Sequence, residues 1–266
     1  MEQLFIPERE ERLKGGNTAE SVVRLGSTVR KPATPSTPAV QSFVAHLRAL
    51  GFQAAPRPLG IDEQNRQVWE YVPGSLWHSR KTHSLSDLRR VGGMIRDLHG
   101  AAASFHVPEG AQWNMRYEFS GHDLICHNDL APWNLVCSDT GWTFIDWDAT
   151  APATRLWDLA WTCISFPPFE PRCDLATAAS AMQSLLSGYV LDSSRYSELI
   201  RLMVMRARAE YDLIVEGAKE GQQPWVKLHA EEHHQYWGPV AEHIDRNASA
   251  LESALVSLDC ALRKSS

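Results

Sequence analysis

Residues 124 to 148 set three short apolar runs, LIC, NLVC and WTFIDW, around a polar loop, HNDLAPW. Runs of this length bounded by turn residues read as strands, and Asp139-Thr140-Gly141 supplies the turn of a hairpin. A sheet that carries charged and amide side chains between its strands must collect them at one end, where water or a ligand can satisfy them. The spacing is H-x-D-x-x-x-x-N over His127, Asp129 and Asn134, and Asp146 ends the next run in F-I-D-W-D. Four polar side chains are therefore expected to converge on one end of one hairpin.

The flanks give this hairpin a setting. AESVVRLGSTVRK, residues 19 to 31, reads as two strands around a Gly-Ser turn, with the flexible Lys14-Gly15-Gly16-Asn17-Thr18 upstream. Thr37 as N-cap, Pro38 in the first turn and Gly51 just past the end predict a helix over 38 to 50. QVWEYV, residues 67 to 72, reads as a strand that Pro73-Gly74 breaks. Leu88, Val91, Leu98 and Ala102 recur at helical spacing from a Ser86-Asp87 start to about Ser104. After Asp158 nearly everything reads as helix: 174 to 190, 194 to 218, and 226 to 264 with a break near Trp237-Gly238-Pro239.

Composition narrows the function classes. The net charge is −6, from 26 basic and 32 acidic residues, without the basic footprint of a nucleic-acid partner. No stretch reaches the length of a signal peptide or membrane span, so no membrane partner and a cytoplasmic setting are expected. Five widely spaced cysteines with no CxxC pair predict free thiols.

Phosphoryl transfer asks for a carboxylate that takes the acceptor's hydroxyl proton, oxygen ligands for Mg2+, and donors that hold phosphates. Asp129 can supply the first, and Asn134 with Asp146 the second. HNDLAPWN followed by IDWD, with GGN near the N-terminus, resembles the aminoglycoside phosphotransferase (APH) family, the small-molecule branch of the protein-kinase-like fold. That resemblance implies an α+β, bilobal fold: a small β-rich N-lobe over 1–72 and a mainly helical C-lobe over 73–266. It implies ATP, with GTP left open, and Mg2+ as cofactors, and a small-molecule hydroxyl as acceptor. By the same resemblance Asp129 is the catalytic base, Asn134, Asp146 and Asp148 form the metal set, and His127 and Asp158 support the loop. Gly15, Gly16, Asn17 and Thr18 match the loop over the phosphates, and Glu70, Tyr71 and Val72 the hinge that meets the adenine. Strand alternation lets only one of Arg30 and Lys31 face the cleft, and Arg30 is the favoured phosphate ligand.

Two departures from the kinase pattern stand out. The helix PAVQSFVAHLRAL has no acidic residue to orient a phosphate-binding cation. The second lies at Asn128, where protein kinases commonly carry an arginine that reads a phosphorylated activation loop, and the nine residues between Asp148 and Asp158 leave no room for such a loop. The second favours a small-molecule acceptor, and a non-catalytic binding or immunity protein on the same fold is the alternative. Glu210, Asp212, Glu231 and Glu232 could line an acceptor side suited to an amino-bearing, cationic substrate. They read equally well as solvated helix surface. HAEEH, residues 229 to 233, matches an inverted zinc-peptidase pattern but lacks a further ligand, and a solvated helix face explains it better.

Overall fold

A glycine at φ 56, Gly26, turns the chain between β2 (Val23–Leu25) and β3 (Thr28–Pro32), the residue type a tight hairpin favours. In the computed structural model, which describes residues 10–13, 22–117, 121–167, 169 and 172–265, this hairpin is the middle of an antiparallel five-stranded sheet. Its order is β1-β2-β3-β5-β4, with β1 at Glu11–Arg12, β4 at Pro58–Ile61 and β5 at Arg66–Glu70. Helix α1 (Thr37–Ala49) follows β3 and buries Val40, Phe43, Val44 and Leu47. It starts one residue earlier than expected: Ser36 is the N-cap, and Thr37 is already helical. Past its end Gly51 takes φ 89, and Phe52 N–H donates to Leu47 O at 3.0 Å, the closure of a Schellman motif.

After β5 the chain leaves the first sheet. A Cβ at Gly74 would sit 2.5 Å from Cys137 O, so only glycine lets this segment lie against the second sheet. That sheet joins β6 (Ser75–Leu76), β8 (Leu135–Ser138) and β9 (Gly141–Phe144), all antiparallel. The expected hairpin is thus β8–β9. The LIC strand, β7 (Leu124–Cys126), pairs instead with β10 (Ala151–Ala153). Ile145 and Asp146 have left the strand, because Asp146 turns left-handed at φ 60 to enter a 3-10 turn over Trp147–Ala149.

The helices pack around these sheets. Helix α2 (Leu85–Ala102) opens with a capping box in which Ser84 and Asp87 satisfy each other's main-chain N–H, two residues ahead of the expected start. Helices α3 (Arg155–Ser165), α4 (Leu175–Tyr189) and α5 (Tyr196–Lys219) follow, then α6 (Trp225–Ala230) and α7 (His234–Ser265). The break expected at Trp237-Gly238-Pro239 falls instead at 231 to 233, and Pro239 lies inside α7. Here Glu232 takes φ 61, and His233 and Glu232 N–H bond to Leu228 O and His229 O, a Schellman closure without glycine. The core is continuous across both regions, since Phe43 of α1 meets Trp147 beneath the polar loop, ring centres 6.2 Å apart.

Helices α2 and α4 touch backbone to backbone: a Cβ on Gly92 would collide with Leu185 O, and one on Gly188 with Arg89 O. Gly92→Ala is expected to destabilise the fold by about 3 kcal/mol, because rigid backbones must part. Gly100→Ala on the same helix meets nothing within 4 Å and is expected to be neutral or to stabilise by about 0.5–1 kcal/mol. Urea denaturation of the two variants checks this contrast.

Candidate active site

The polar loop is held from beneath by Asp158, in the first turn of α3 behind the cap Thr154. Its buried carboxylate accepts the main-chain N–H of Asn128 at 2.8 Å and of His127 at 3.3 Å, and contacts His99 Nε2 at 3.2 Å. His99 in turn meets the Tyr189 hydroxyl through Nδ1 at 2.8 Å. Asn128 takes the left-handed φ of 62, and its amide donates to Ala149 O and Ala151 O, both at 3.2 Å. His127 Nδ1 accepts the Asp129 N–H at 3.3 Å, and the ring lies against Trp147, centres 4.5 Å apart. Burial pushes the imidazole pKa down, consistent with a neutral ring that braces the loop.

Asp129 follows these anchors. Asn134 reaches back from the next turn and donates to Asp129 O at 3.0 Å. The Asp129 carboxylate accepts Trp161 Nε1–H at 3.0 Å and lies 3.7 Å from Arg116. Burial raises its pKa to about 6: Arg116 pulls it down, Asp146 and Glu210 add to the rise, and burial prevails. A carboxylate so placed ionises near neutrality and can exchange a proton with a bound hydroxyl.

Across the rim, Lys31 of β3 extends its ammonium to Asp146 at 2.6 Å and Asp148 at 2.7 Å. Lys31 holds the Asp146 carboxyl down, to about pH 2, against the opposing effect of burial. Burial works against the lysine's charge, yet the two carboxylates outweigh it and raise its pKa. The strand alternation is therefore realised the other way round from expectation. Arg30 points to the opposite face of the sheet and pairs with Asp62 at 3.4 Å, and Lys31 faces the rim.

Gly15, Gly16, Asn17 and Thr18 fall outside the described residues. The N–H groups of Glu70 and Tyr71 are already bonded to Arg57 O and Ser27 O, at 2.9 and 2.8 Å, so neither is open to a base. Of the four acids expected on the acceptor side, Glu210 lies near enough to Asp129 to raise its pKa. Glu210 accepts the Tyr117 hydroxyl at 2.5 Å and Arg206 at 3.1 Å, Asp212 is exposed, and Glu231 and Glu232 bond locally in the α6–α7 turn. His229 and His233 do not share a helix, because α6 ends between them. All five cysteines are free.

Sequence reasoning missed Arg116, Tyr117 and Arg206. Arg206 is 1% exposed, with its guanidinium 3.9 Å from the Tyr117 ring centre and 4.1 Å from that of Trp161. It also donates to Asn128 O at 3.4 Å. A signal was present: Arg206 interrupts the apolar stripe Leu199, Met203, Ala207, Ile214 of α5.

Residues 108–186 match the model of the family described as Phosphotransferase enzyme family, APH. The matched stretch is the one that carries the site. The chain is also 35% identical over 155 residues to the trifolitoxin immunity protein of Rhizobium leguminosarum bv. trifolii, a match that covers 56% of this chain and 58% of that protein. Among solved structures, an amicoumacin kinase bound to AMP-PNP, Ca2+ and its ligand superposes with a TM-score of 0.65 at 14% identity, over 91% of this chain and 90% of that one. A choline/ethanolamine kinase family protein from Mesorhizobium loti gives 0.58 at 16% identity, over 93% and 92%. These show the fold: the α+β, kinase-like architecture expected from the sequence is the observed one, a β-rich N-terminal region followed by a mostly helical remainder.

Two stability outcomes follow from this geometry. Asp158→Ala strands two buried N–H groups and His99, and is expected to destabilise by about 3 kcal/mol in urea denaturation. The raised pKa of Asp129 means that the fold disfavours its ionisation, a penalty that grows as pH rises from about 4 and is complete above about 6. With the side chain 16% exposed, the penalty is trimmed to about 1–2 kcal/mol. In chelator, Asp129→Asn is expected to melt above the unsubstituted protein at pH 8, and the gap should close near pH 4.

Proposed function

We propose that this protein is an ATP- and Mg2+-dependent phosphotransferase that acts on a hydroxyl group of a small molecule, built as an N-lobe over 1–72 and a C-lobe over 73–266. The observation that carries the reading is Asp129: a carboxylate with its pKa near 6, on a loop pinned by Asp158, Asn128 and Asn134. Its role is to orient the acceptor hydroxyl and take its proton as the new oxygen–phosphorus bond forms. Trp161 and Arg116 hold the carboxylate in place for that step. Lys31 supplies positive charge at the rim for the phosphates. Gly15 to Thr18 are assigned to the phosphate loop and Val72 to the adenine side by resemblance.

The residues present fit a divalent cation. A cation already lies between Asp146 and Asp148, in the form of the Lys31 ammonium. Asn134 and Asp146, with Asp148 beside them, would hold Mg2+, which when bound neutralises charge on the phosphates. Next to Asp129 stand Arg116 and Trp161, with Trp133, 41% exposed, 5.9 Å beyond Trp161 between ring centres. Such an edge suits an acceptor with an apolar face better than a polycation.

The second reading, a binding or immunity protein that sequesters its ligand, is favoured by the relative named as an immunity protein. The two differ in turnover. A screen of aminoglycosides, other antibiotics, amino alcohols and sugars with Mg·ATP, read by mass gain of one phosphate, is expected to give a phosphorylated product. Asp129→Ala should lower that turnover by about 10²–10⁴ while nucleotide binding persists. Ligand binding without transfer at millimolar Mg·ATP would leave the sequestering protein.

A further inference from the structure

Helix α1 offers no acid to a cation on the sheet: its buried face is Val40, Phe43, Val44 and Leu47. Its polar Gln41 is turned to Gly60 O at 2.9 Å. An ammonium as enclosed as that of Lys31 still needs a fixed counter-charge. The two candidates, Asp146 and Asp148, are equidistant from it within 0.1 Å but differently held. Asp148 is tied by a second bond, Gln67 Nε2 to its Oδ1 at 3.2 Å. Gln67, 1% exposed, is itself immobilised: it donates to Pro32 O at 3.1 Å and accepts Trp69 Nε1–H at 2.8 Å. Lys31 and Gln67 are direct partners in the β3–β5 ladder, so both side chains leave the same face of the sheet and meet on one carboxylate. Asp146 lacks this amide tie and is the more exposed of the two, 43% against 33%.

We propose that Asp148 is a positioning residue, the fixed partner of Lys31 in place of the acid that α1 lacks, and that Asp146 is the carboxylate that gives up Lys31 for the metal. This rests on the kinase reading of the site and divides labour within it: one acid stays with the lysine, the other changes partner. The orientation of Lys31 then depends on the β5 amide and the turn after β9, and not on where α1 stands.

The test is binding, not turnover. Mn2+ binding to protein with AMP-PNP, followed by electron paramagnetic resonance, is expected to weaken at least about thirtyfold in Asp146→Asn and by less than about threefold in Asp148→Asn. Calorimetry should show Lys31→Met and Asp148→Asn each weakening Mn·AMP-PNP about tenfold. The double variant should be no worse than Lys31→Met, because a partner for an absent lysine contributes nothing. Loss of Mn2+ affinity in Asp148→Asn equal to that in Asp146→Asn, or additive losses in the double variant, would overturn the proposal. A second measurement needs no ligand: in urea denaturation the coupling between Lys31 and Asp148 should exceed that between Lys31 and Asp146, and Gln67→Leu should reduce only the former. The reverse order would overturn it as well. An unsubstituted protein that binds neither Mn2+ nor AMP-PNP would sink the kinase reading instead, and the denaturation cycle would still judge the pairing.

Discussion

The carboxylate of Asp158, buried and bonded to the N–H groups of Asn128 and His127, is the contact on which the rest of the site depends. A loop that leaves a strand exposes main-chain donors, and inside a protein those donors must find acceptors. Asp158 supplies both from the start of α3, a helix whose own cap, Thr154, follows directly on β10. Since β10 also pairs with β7, the strand that enters the loop and the helix that holds it are joined by one short antiparallel ladder. The left-handed turn at Asn128, unfavourable for most residues, is sustained by its two bonds to the carbonyls of Ala149 and Ala151. Asp129 is thereby aimed before any ligand arrives, which is the condition for a carboxylate to act in a transition state without a cost of reorganisation.

Electrostatics then divides the acids. Asp146 and Glu210 lie close enough to Asp129 to raise its pKa, and each of the three acids meets a different cation: Asp129 meets Arg116, Asp146 meets Lys31 and Glu210 meets Arg206. The Lys31 pair keeps Asp146 ionised well into acid, whereas burial, only partly offset by the longer Arg116 contact, leaves Asp129 near neutrality. Under the proposed function these two acids of one hairpin end would divide the tasks, one holding cations and one exchanging a proton. Arg206, enclosed by Tyr117 and Trp161, absorbs the charge of Glu210 and ties α5 to the loop through Asn128 O. For that reason Glu210 is poorly suited to attract a cationic substrate.

Local chemistry was the legible part. The spacing of His127, Asp129 and Asn134 and the position of Asp146 announced a polar hairpin end, and Pro38 and Gly51 bracketed α1 to within a residue. Where the same physics used an unusual residue, the reading slipped. Helix α1 ends in a Schellman motif on Gly51, a visible stop, while α6 ends in the same motif on Glu232, a residue that carries no such signal. Pro239, the expected site of the break, is carried inside α7. Strand parity allowed one of Arg30 and Lys31 to face the rim but not which, because the choice is made by Asp62 on one face and by Asp146 and Asp148 on the other, all distant in sequence. Arg116 and Tyr117 lie in a stretch of irregular structure, where no periodicity points inward.

The short path from Asp148 to Asp158 bears on what this site can accept. Its nine intervening residues are consumed by the 3-10 turn, β10 and the first turn of α3, and the carbonyls of Ala149 and Ala151 are engaged by Asn128. No segment remains there to cradle an extended polypeptide acceptor or to switch between ordered and disordered forms. What borders Asp129 instead is side chain: Trp161 on its carboxylate, Trp133 beyond it, and Arg116 at the opposite oxygen. Rigid rings and one guanidinium present a fixed, compact surface, and a compact surface selects by the shape of what reaches the carboxylate. On the phosphotransferase reading proposed above, this shortness leaves discrimination to the aromatic edge, and the acceptor that such an arrangement would hold is one small enough to place a hydroxyl beside Asp129.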